Sequence, residues 1–198
     1  QGDSKWVTGK EARRDVHELR ATVDAVLTGV GTVLADDPGL NVRLDRETTQ
    51  PLRIVLDRDL RTPLSSQLVR TATDIPVLLY TTSDDQTKRD ALTASGIELA
   101  DYTSLDAVLQ DVYARGIGRL LVEAGPTLVT SFLDGQFVEE WVMYQSPRVF
   151  GGRSGFYRSH QEGPLDAIEK YTVQSVETIG ADIKFIMRKE ESDVHGNR

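Results

Sequence analysis

The segment 120–130, Leu-Leu-Val-Glu-Ala-Gly-Pro-Thr-Leu-Val-Thr, constrains the fold of this chain more than any other stretch. Its apolar start predicts a buried strand that ends at Glu123, and Pro126 suits the first position of a helix, where no N–H is needed. A strand that turns through glycine into a helix points free amides and the positive end of the helix dipole at one place, where phosphate groups bind. The alternative is an ordinary connection in which Gly125 permits tight packing, and the segment alone favours neither.

Strand and helix patterns alternate along the remaining chain. Apolar runs predict strands at residues 24–28, 52–57, 77–81 and 97–100. Residues 171–178 and 182–188 alternate apolar and polar side chains around a glycine turn, which predicts an antiparallel hairpin. We therefore predict a three-layer α/β domain whose mostly parallel sheet ends in a C-terminal antiparallel hairpin. This domain occupies residues 1–188, and residues 189–198 form a charged tail that we expect to be disordered.

Composition excludes several classes of function. The 23 basic and 31 acidic residues give a net charge of −8, and no basic run exceeds two residues, which argues against nucleic acid as a partner. Without cysteine there is no disulfide, thiolate metal site or thiol nucleophile. The histidines His17, His160 and His195, which we expect on the surface, lack metal-ligand spacing, so no metal site is predicted. The absence of a long apolar run or signal peptide indicates a cytoplasmic protein without a membrane partner.

Polar residues near the ends of two predicted helices are candidates for chemistry. Asp36 and Asp37 precede Pro38, which disfavours helical conformation in the residue before it and so ends a helix. Solvated carboxylates at a helix end are the simpler interpretation, and a carboxyl group that donates a proton to a bound ligand is the alternative. The guanidinium of Arg43 suits bidentate binding of a phosphate. Arg20 alone indicates only a favourable charge at a helix C-terminus.

Several motifs occur together in an order and spacing typical of one family. They are Ser4-Lys-Trp-Val-Thr8, Glu11-Ala-Arg-Arg-Asp-Val-His17, Leu19-Arg20, Asp24-Ala-Val-Leu27, Gly31-Thr-Val-Leu-Ala-Asp-Asp-Pro38, Val122-Glu-Ala-Gly-Pro-Thr-Leu128, Tyr144-Gln-Ser-Pro-Arg148 and Gly151-Gly152. With these motifs, the sequence resembles the reductase domain of the bifunctional riboflavin-biosynthesis deaminase–reductase over nearly its whole length. The resemblance implies the fold of dihydrofolate reductase.

The resemblance also implies a reaction and a cofactor. Members of this family use NADPH to reduce 5-amino-6-(5-phosphoribosylamino)uracil to 5-amino-6-(5-phosphoribitylamino)uracil, with hydride delivered to C1 of the opened ribose. The expected partner is therefore a small phosphoribosyl pyrimidine. The protein must hold this substrate, the dinucleotide and a proton source within reacting distance of one another.

The resemblance assigns the site residues position by position. The substrate-binding positions are Ser4, Arg20, Leu40, Arg43 and Glu123, and the two arginines suit the ribose 5-phosphate. The cofactor-binding positions are Trp6, Thr32, Asp36, Gly125, Pro126, Thr127, Leu128, Val129, Thr130 and Ser131. Those from Gly125 onward match the family's pyrophosphate loop and helix start. Asp36 is also the family's candidate catalytic acid–base residue, and no metal is implied.

Two departures from the family pattern bear on these expectations. Arg58 stands where some members carry a serine near the cofactor, so its charge either favours the 2′-phosphate of NADPH or faces solvent. The family also has an upstream strand carrying a lysine, which no residue here supplies. We therefore expect the first family strand to lie before residue 1 in a longer polypeptide, and whether a deaminase domain is attached is left open.

Two other functions stay open beside this one. A sister reductase acts on 2,5-diamino-6-ribosylamino-pyrimidinone 5-phosphate, which differs from the uracil substrate at one exocyclic group. A non-catalytic nucleotide-binding paralogue is the other alternative. Its expected signature is the loss of Asp36, Arg43 or Glu123, and all three are present.

Assembly is the last expectation. The family is usually dimeric, so we expect a homodimer. Residues 138–146 predict a strand, and its segment 141–144, Trp-Val-Met-Tyr, has apolar residues on both faces. Burial inside a sheet is the favoured interpretation of this strand. Packing across a two-fold axis, where aromatic residues and methionine are enriched, is the alternative.

Overall fold

The computed structural model describes residues 8–148 and 170–190. These residues divide into two compact units, and the single domain indicated by the sequence stays a prediction. One unit is Arg14–Leu128, and the other consists of the described parts of Gln1–Arg13 and Val129–Arg198. The predicted end of the domain at residue 188 stays a prediction, although the last strand runs to Lys189.

Helices and strands alternate as the sequence predicted. The described helices are α1 (Lys10–Arg20), α2 (Val30–Asp36), α3 (Gln67–Arg70), α4 (Gln86–Ala94), α5 (Leu105–Ala114) and α6 (Pro126–Asp134). The described strands are β1 (Ala25–Gly29), β2 (Leu52–Leu56), β3 (Val77–Thr81), β4 (Ile97–Asp101), β5 (Leu120–Val122), β6 (Glu140–Gln145), β7 (Tyr171–Ile179) and β8 (Asp182–Lys189). The sequence predicts a strand, a turn and a helix for residues 120–130. In the structure the strand is β5, residues 123–125 connect it to α6, and the helix is α6, so this prediction is confirmed.

A parallel sheet with the strand order β4-β3-β2-β1-β5 runs through the unit Arg14–Leu128. Strands β1, β2 and β3 are buried almost throughout, because parallel strands are covered on both faces and carry continuous apolar runs. All five strands are parallel, so their carboxyl ends lie at one edge. Strands β2 to β4 extend from one side of β1, and β5 pairs with its other side. Open α/β sheets bind ligands outside the carboxyl ends of strands at such a reversal of strand order.

A charged side chain lies inside the apolar core of this unit. Arg53 on β2 is 0% exposed, and its guanidinium donates to Gly39 O at 3.1 Å, Thr71 Oγ1 at 2.8 Å, Thr71 O at 3.0 Å and Ile75 O. Burial lowers the pKa of Arg53 to about 10, so the side chain stays charged at neutral pH. Arg53 therefore joins the loop after α2 to the segment before β3. A lone arginine in an apolar strand gave no sequence signal for this role.

An antiparallel sheet with the order β6-β8-β7 belongs to the second unit. Strands β7 and β8 form the predicted hairpin, and its turn contains Gly180 at φ 60°, which glycine adopts without strain. Among the described strands, β6 pairs with β8 alone. The apolar residues 141–144 of β6 are half-buried rather than buried, so the favoured expectation of full burial inside a sheet does not hold.

The predicted class, α/β with a mostly parallel sheet and a C-terminal antiparallel hairpin, is confirmed. The structure differs in one respect, because the hairpin forms a separate sheet with β6 instead of extending the parallel sheet. None of the helices described above is both long and apolar enough to cross a membrane.

Candidate active site

A groove lies where helix α2 follows β1 and where the chain leaves β5, at the reversal of strand order in the parallel sheet. Its volume is about 330 Å³. Its lining consists of Thr32, Asp36, Pro38, Leu40, Glu123, Ala124 and Gly125. The two parts of this lining are distant in sequence and meet because β1 and β5 are neighbouring strands. The structure thus brings together five of the predicted site residues, whose roles stay predictions.

Asp36 and Asp37 are adjacent in sequence but differ in their surroundings. Asp37 caps α2 in a left-handed conformation (φ 42°, ψ 58°), and its N–H donates to Val33 O at 3.1 Å. Its Oδ1 accepts from Gln67 N at 2.7 Å, and its carbonyl accepts from the Gln67 side chain at 2.5 Å. Asp36 is exposed and lines the groove. Of the two carboxylates, Asp37 is occupied in holding α3, and Asp36 is available to a ligand.

The loop after α2 holds Leu40 in an unusual backbone conformation. Leu40 has φ 49°, and the left-handed region costs a non-glycine residue about 1–2 kcal/mol. Its side chain is nevertheless buried in the core. Arg53 fixes the preceding Gly39 carbonyl, and the Gln50 side chain bonds Val42 N at 2.8 Å and Val42 O at 3.0 Å. The loop is therefore fixed on both sides of Leu40 by the protein itself, as strained segments at functional sites require.

Arg20 and Glu123, both predicted to bind substrate, form a bidentate ion pair. Arg20 Nε and Nη2 donate to Glu123 Oε1 and Oε2 at 2.6 and 2.7 Å, and the side chains are 11% and 25% exposed. Arg20 Nη1 donates to Asn41 O at 3.0 Å. A guanidinium carries five N–H groups, so one N–H on each terminal nitrogen is left to bind an anion. The pair connects α1 to the carboxyl end of β5.

His17 lies beside Arg43 and close to Arg20, although we expected it to be an ordinary surface residue. Its Nδ1 is 3.1 Å from Asn41 O and 3.3 Å from Arg43 N, and its Nε2 is 3.5 Å from Arg43 Nη2. Burial, followed by the charges of Arg20 and Arg43, lowers the pKa of His17, while the Asn41 carbonyl and Glu123 oppose this shift. The ring is therefore neutral at neutral pH. The available signal was its spacing, because residues three apart, such as His17 and Arg20, share a helix face.

The start of α6 is open. Gly125, Pro126 and Thr127 are exposed. A Cβ added at Gly125 would meet no atom within 4 Å, and its φ lies outside the left-handed region. Neither tight packing nor backbone conformation requires glycine here, so the packing alternative loses its support. The other predicted cofactor positions, Leu128 to Ser131, lie within the first turns of α6.

Arg58 follows β2 at the carboxyl edge of the parallel sheet. Its guanidinium carbon lies 5.1 Å from the centre of the Tyr102 ring, a cation–π contact. The Arg58 carbonyl accepts from Thr81 Oγ1 at 2.9 Å and from Thr82 N at 3.0 Å. The side chain is exposed, so both alternatives for it, a 2′-phosphate contact and a solvent-facing charge, stay open.

Some predicted residues cannot be placed. Ser4 and Trp6 lie outside the described residues, as do His160 and His195. Within residues 8–148 and 170–190, no group of three or more histidine, aspartate or glutamate side chains is arranged to hold a metal ion.

Comparison with known proteins agrees with the resemblance drawn from the motifs. The family model for the RibD C-terminal domain matches residues 1–185. The chain belongs to this family. The riboflavin biosynthesis protein RibD of Actinobacillus pleuropneumoniae is 37% identical over 190 residues, which are 92% of this chain and 50% of that protein. The 2,5-diamino-6-ribosylamino-4(3H)-pyrimidinone 5′-phosphate reductase of Archaeoglobus fulgidus is 30% identical over 185 residues, 88% of this chain and 83% of that protein.

Solved structures of RibD proteins have the same fold. RibD of Acinetobacter baumannii, form 1, has a TM-score of 0.84 and 30% identity, and the match covers 96% of this chain and 53% of that chain. A pyrimidine reductase-like protein of Corynebacterium diphtheriae has a TM-score of 0.78 at 16% identity, which bears on the fold alone. The predicted fold class and family are thus confirmed. The chain spans about half the length of the RibD proteins among its curated relatives.

Proposed function

We propose that this chain uses NADPH to reduce 5-amino-6-(5-phosphoribosylamino)uracil to 5-amino-6-(5-phosphoribitylamino)uracil in riboflavin biosynthesis. The observation that carries this proposal is the groove at the reversal of strand order, where Asp36, Leu40 and Glu123 lie beside the open start of α6. Membership of the RibD C-terminal domain family and the names of the similar proteins support a pyrimidine reductase of this pathway.

The substrate's phosphate is assigned to the cluster of Arg20 and Arg43. Arg43 is exposed, and Arg20 keeps N–H groups that are not used by Glu123 or Asn41. In a protein with a net charge of −8, such a local concentration of positive charge is needed to attract a phosphate. Guanidinium groups suit this task, because their paired N–H donors match the oxygens of a phosphate.

The cofactor's pyrophosphate is assigned to the start of α6. The exposed backbone at Gly125 and the open space where a Cβ would lie fit a close approach by a phosphate group. The helix contributes the amides of its first turn and the positive end of its dipole. When bound, NADPH supplies the hydride. The preference for NADPH over NADH is inferred from the family. Equal affinities for the two cofactors would contradict this preference.

Asp36 is assigned to the proton side of the reaction. Hydride delivery to C1 of the opened ribose requires that the adjoining heteroatom be protonated or its charge be stabilised. A carboxyl group can donate a proton there if it lies within hydrogen-bond distance of the heteroatom. The position of Asp36 in the groove, and the engagement of its neighbour Asp37 with Gln67, support this assignment.

Turnover of NADPH with alternative pyrimidines tests the proposal. The purified protein is mixed with NADPH alone, with the deaminated uracil substrate and with the 2,5-diamino substrate, and NADPH oxidation is followed by absorbance. We expect oxidation with the uracil compound. The Archaeoglobus relative, 83% of which is covered by the match, favours the diamino compound as the second candidate. Cofactor binding without oxidation in any mixture would instead indicate a non-catalytic paralogue.

A homodimer in the cytoplasm, without a nucleic-acid partner, completes the proposal. The half-buried residues 141–144 on β6, a strand that pairs on one side among the described strands, are the candidate contact surface. We expect a dimer in sedimentation experiments, and we expect Trp141→Glu to yield a folded monomer. A wild-type monomer at micromolar concentration, or a variant that only unfolds, would contradict this assignment.

A further inference from the structure

We propose that His17 is a third anion-binding residue, which takes up a proton when a doubly charged phosphate group docks against Arg20 and Arg43. The inference rests on the proposed function in that the natural anion is taken to be the substrate's phosphate. The proton comes from solvent and binds Nε2. His17 then helps to bind and position the phosphate, and it takes no part in the proton transfer that is assigned to Asp36.

The contacts of His17 favour one tautomer. The Asn41 carbonyl can only accept, so a hydrogen bond at 3.1 Å requires the proton on Nδ1. Nε2 then carries a lone pair and faces an N–H of Arg43 at 3.5 Å. The other tautomer would set an N–H of the ring against that N–H of Arg43. Donation from Arg43 N to Nδ1 would require an unprotonated Nδ1, so it is incompatible with the hydrogen bond to Asn41. At 3.3 Å it is also the longer of the two contacts.

This arrangement holds the ring in place through the backbone and leaves Nε2 directed at the arginine. The carbonyl of Asn41 binds both Arg20 Nη1 and His17 Nδ1, so the same atom orients both side chains. A phosphate oxygen bound to Arg43 would lie near Nε2. The bond to Asn41 does not have to break when Nε2 gains a proton, because Nδ1–H is a donor in both forms.

The charges around His17 change sign when a dianion binds. The charged groups that face the ring are Arg20 on its own helix, Arg43 on the loop after α2 and Glu123 after β5. In the free protein, burial, followed by the charges of Arg20 and Arg43, holds the pKa of His17 below its usual value. The three charged groups together carry one net positive charge. A bound dianion would leave one net negative charge, and a proton on His17 would restore neutrality. The pKa of His17 therefore rises on binding.

The sign of the pH dependence follows from linkage. At a pH between the pKa values of the free and the bound state, anion binding draws in a proton. The affinity for the dianion then increases as the pH falls through the bound-state pKa, and it levels off below the free-state pKa. The anion and the proton strengthen each other's binding by the same factor. A rise of one unit in pKa corresponds to about tenfold tighter anion binding at low pH.

Sulfate is the appropriate probe, because it stays doubly charged over the relevant pH range, whereas a phosphate monoester itself titrates near pH 6. Calorimetric titration at constant ionic strength, from about pH 5 to about pH 8 and in buffers of different ionisation enthalpy, gives both affinity and proton uptake. We expect wild-type affinity to increase roughly tenfold toward low pH, with up to one proton taken up per sulfate. The NMR titration of the His17 ring should move to higher pH when sulfate is added.

Three variants separate the contributions. His17→Gln keeps a hydrogen-bonding side chain that cannot be protonated, so it should bind sulfate as wild type does at high pH and lose the increase at low pH. Arg43→Ala should lose sulfate binding at every pH, which locates the anion. Arg46→Gln is the matched charge control, because Arg46 is exposed and paired with Glu18 outside the cluster. It should keep the pH dependence.

The inference is overturned by wild-type affinity that does not change with pH, by absence of proton uptake, or by an unchanged pH dependence in His17→Gln. Binding that persists in Arg43→Ala would place sulfate elsewhere and overturn it too. The proposed function is tested by a separate experiment, the measurement of NADPH turnover. If turnover fails while sulfate binding stays linked to His17, the reductase proposal falls and this inference stands. In an active enzyme, His17→Gln should raise the KM for the phosphorylated substrate at low pH and leave kcat unchanged.

Discussion

The two walls of the groove are built in different ways. The wall on segment 36–43, which lines the groove with Asp36, Pro38 and Leu40, is braced by the protein. Here Gln67 bonds Asp37, Arg53 bonds Gly39 and Gln50 bonds Val42. The wall on segment 123–127, which lines the groove with Glu123, Ala124 and Gly125, is exposed from Gly125 onward. A Cβ added at Gly125 would touch nothing. The first wall is thus preorganised, and the second leaves space for a ligand that brings its own contacts. Catalytic groups need the first kind of support, because their geometry must be held closely.

Backbone conformation agrees with this contrast. Asp37 and Leu40, both in the braced wall, have positive φ values of 42° and 49°. Such conformations persist only where the surroundings force them. No residue of the open wall has a positive φ. Removing a brace should therefore damage the first wall, whereas changes in the second should act on the ligand and leave the fold intact.

The largest effect is expected at Asp36, in the braced wall. If Asp36 is the general acid, Asp36→Asn should lower kcat by about 10²–10⁴, with substrate and cofactor still binding. Asp37→Asn is the matched control, because the amide keeps an oxygen that can accept from Gln67 N. Its effect should be mainly on stability. Nearly normal turnover in Asp36→Asn would leave Asp36 as a helix-end or cofactor-positioning residue.

The brace supplied by Arg53 is expected to be the next most important. In Arg53→Leu, the carbonyls of Gly39, Thr71 and Ile75 lose a charged donor inside the core. We expect the free energy of unfolding to fall by about 3 kcal/mol or more, since each unsatisfied buried group costs about 1–3 kcal/mol. Denaturant titration measures this change. The exposed Arg70→Leu is the control and should stay within about 0.5 kcal/mol of wild type. Equal stabilities of the two variants would mean that Arg53 does not brace this wall.

The sequence predicted the parts of the molecule that repeat a simple pattern. Apolar runs marked β1, β2 and β3, because a strand buried on both faces needs no polar residue, and alternation marked the β7–β8 hairpin. Contacts between residues that are distant in the chain leave no such pattern in the sequence. Arg20 and Glu123 are 103 positions apart, and each was assigned to the substrate without any sign that they bind each other.

Two single side chains were missed for the same physical reason. No local pattern indicates that Arg53 is buried, since its partners, backbone carbonyls and the Thr71 hydroxyl, belong to other segments. His17 becomes special only when the loop after α2 folds back and brings Arg43 against it. The separate sheet containing β6 was missed because apolar residues on both faces fit several arrangements of a strand.

Arg43→Ala tests the phosphate contact next to the braced wall. Loss of a charge-assisted bond to phosphate should weaken substrate binding by about 1.5–3 kcal/mol, roughly tenfold to somewhat over a hundredfold. NADPH binding should be almost unchanged. Arg43 is exposed, so its loss leaves the fold intact. Arg20→Ala should also weaken substrate binding. It leaves the half-buried Glu123 without its ion-pair partner, so it should lower the stability of the protein as well.

Separate titrations of substrate and NADPH, by calorimetry or fluorescence, check this prediction. The control is Arg46→Ala, which removes an exposed arginine paired with Glu18. An equal loss of cofactor affinity in Arg43→Ala would mean that this arginine holds the cofactor or the fold, and the assignment of the substrate's phosphate to Arg20 and Arg43 would fail.

The smallest change to the protein itself is expected at Gly125, in the open wall. Because an added methyl group would meet no protein atom, Gly125→Ala should leave stability unchanged or raise it by up to about 1 kcal/mol through the unfolded state. The same methyl group should occupy space that the pyrophosphate needs, so we expect NADPH affinity to fall severalfold. Gly118→Ala is the control, since its Cβ would make only an ordinary contact with Asp24, outside the groove. Thermal unfolding and cofactor titration of both variants separate the two effects, and unchanged NADPH affinity in Gly125→Ala would mean that the open wall is not where the pyrophosphate binds.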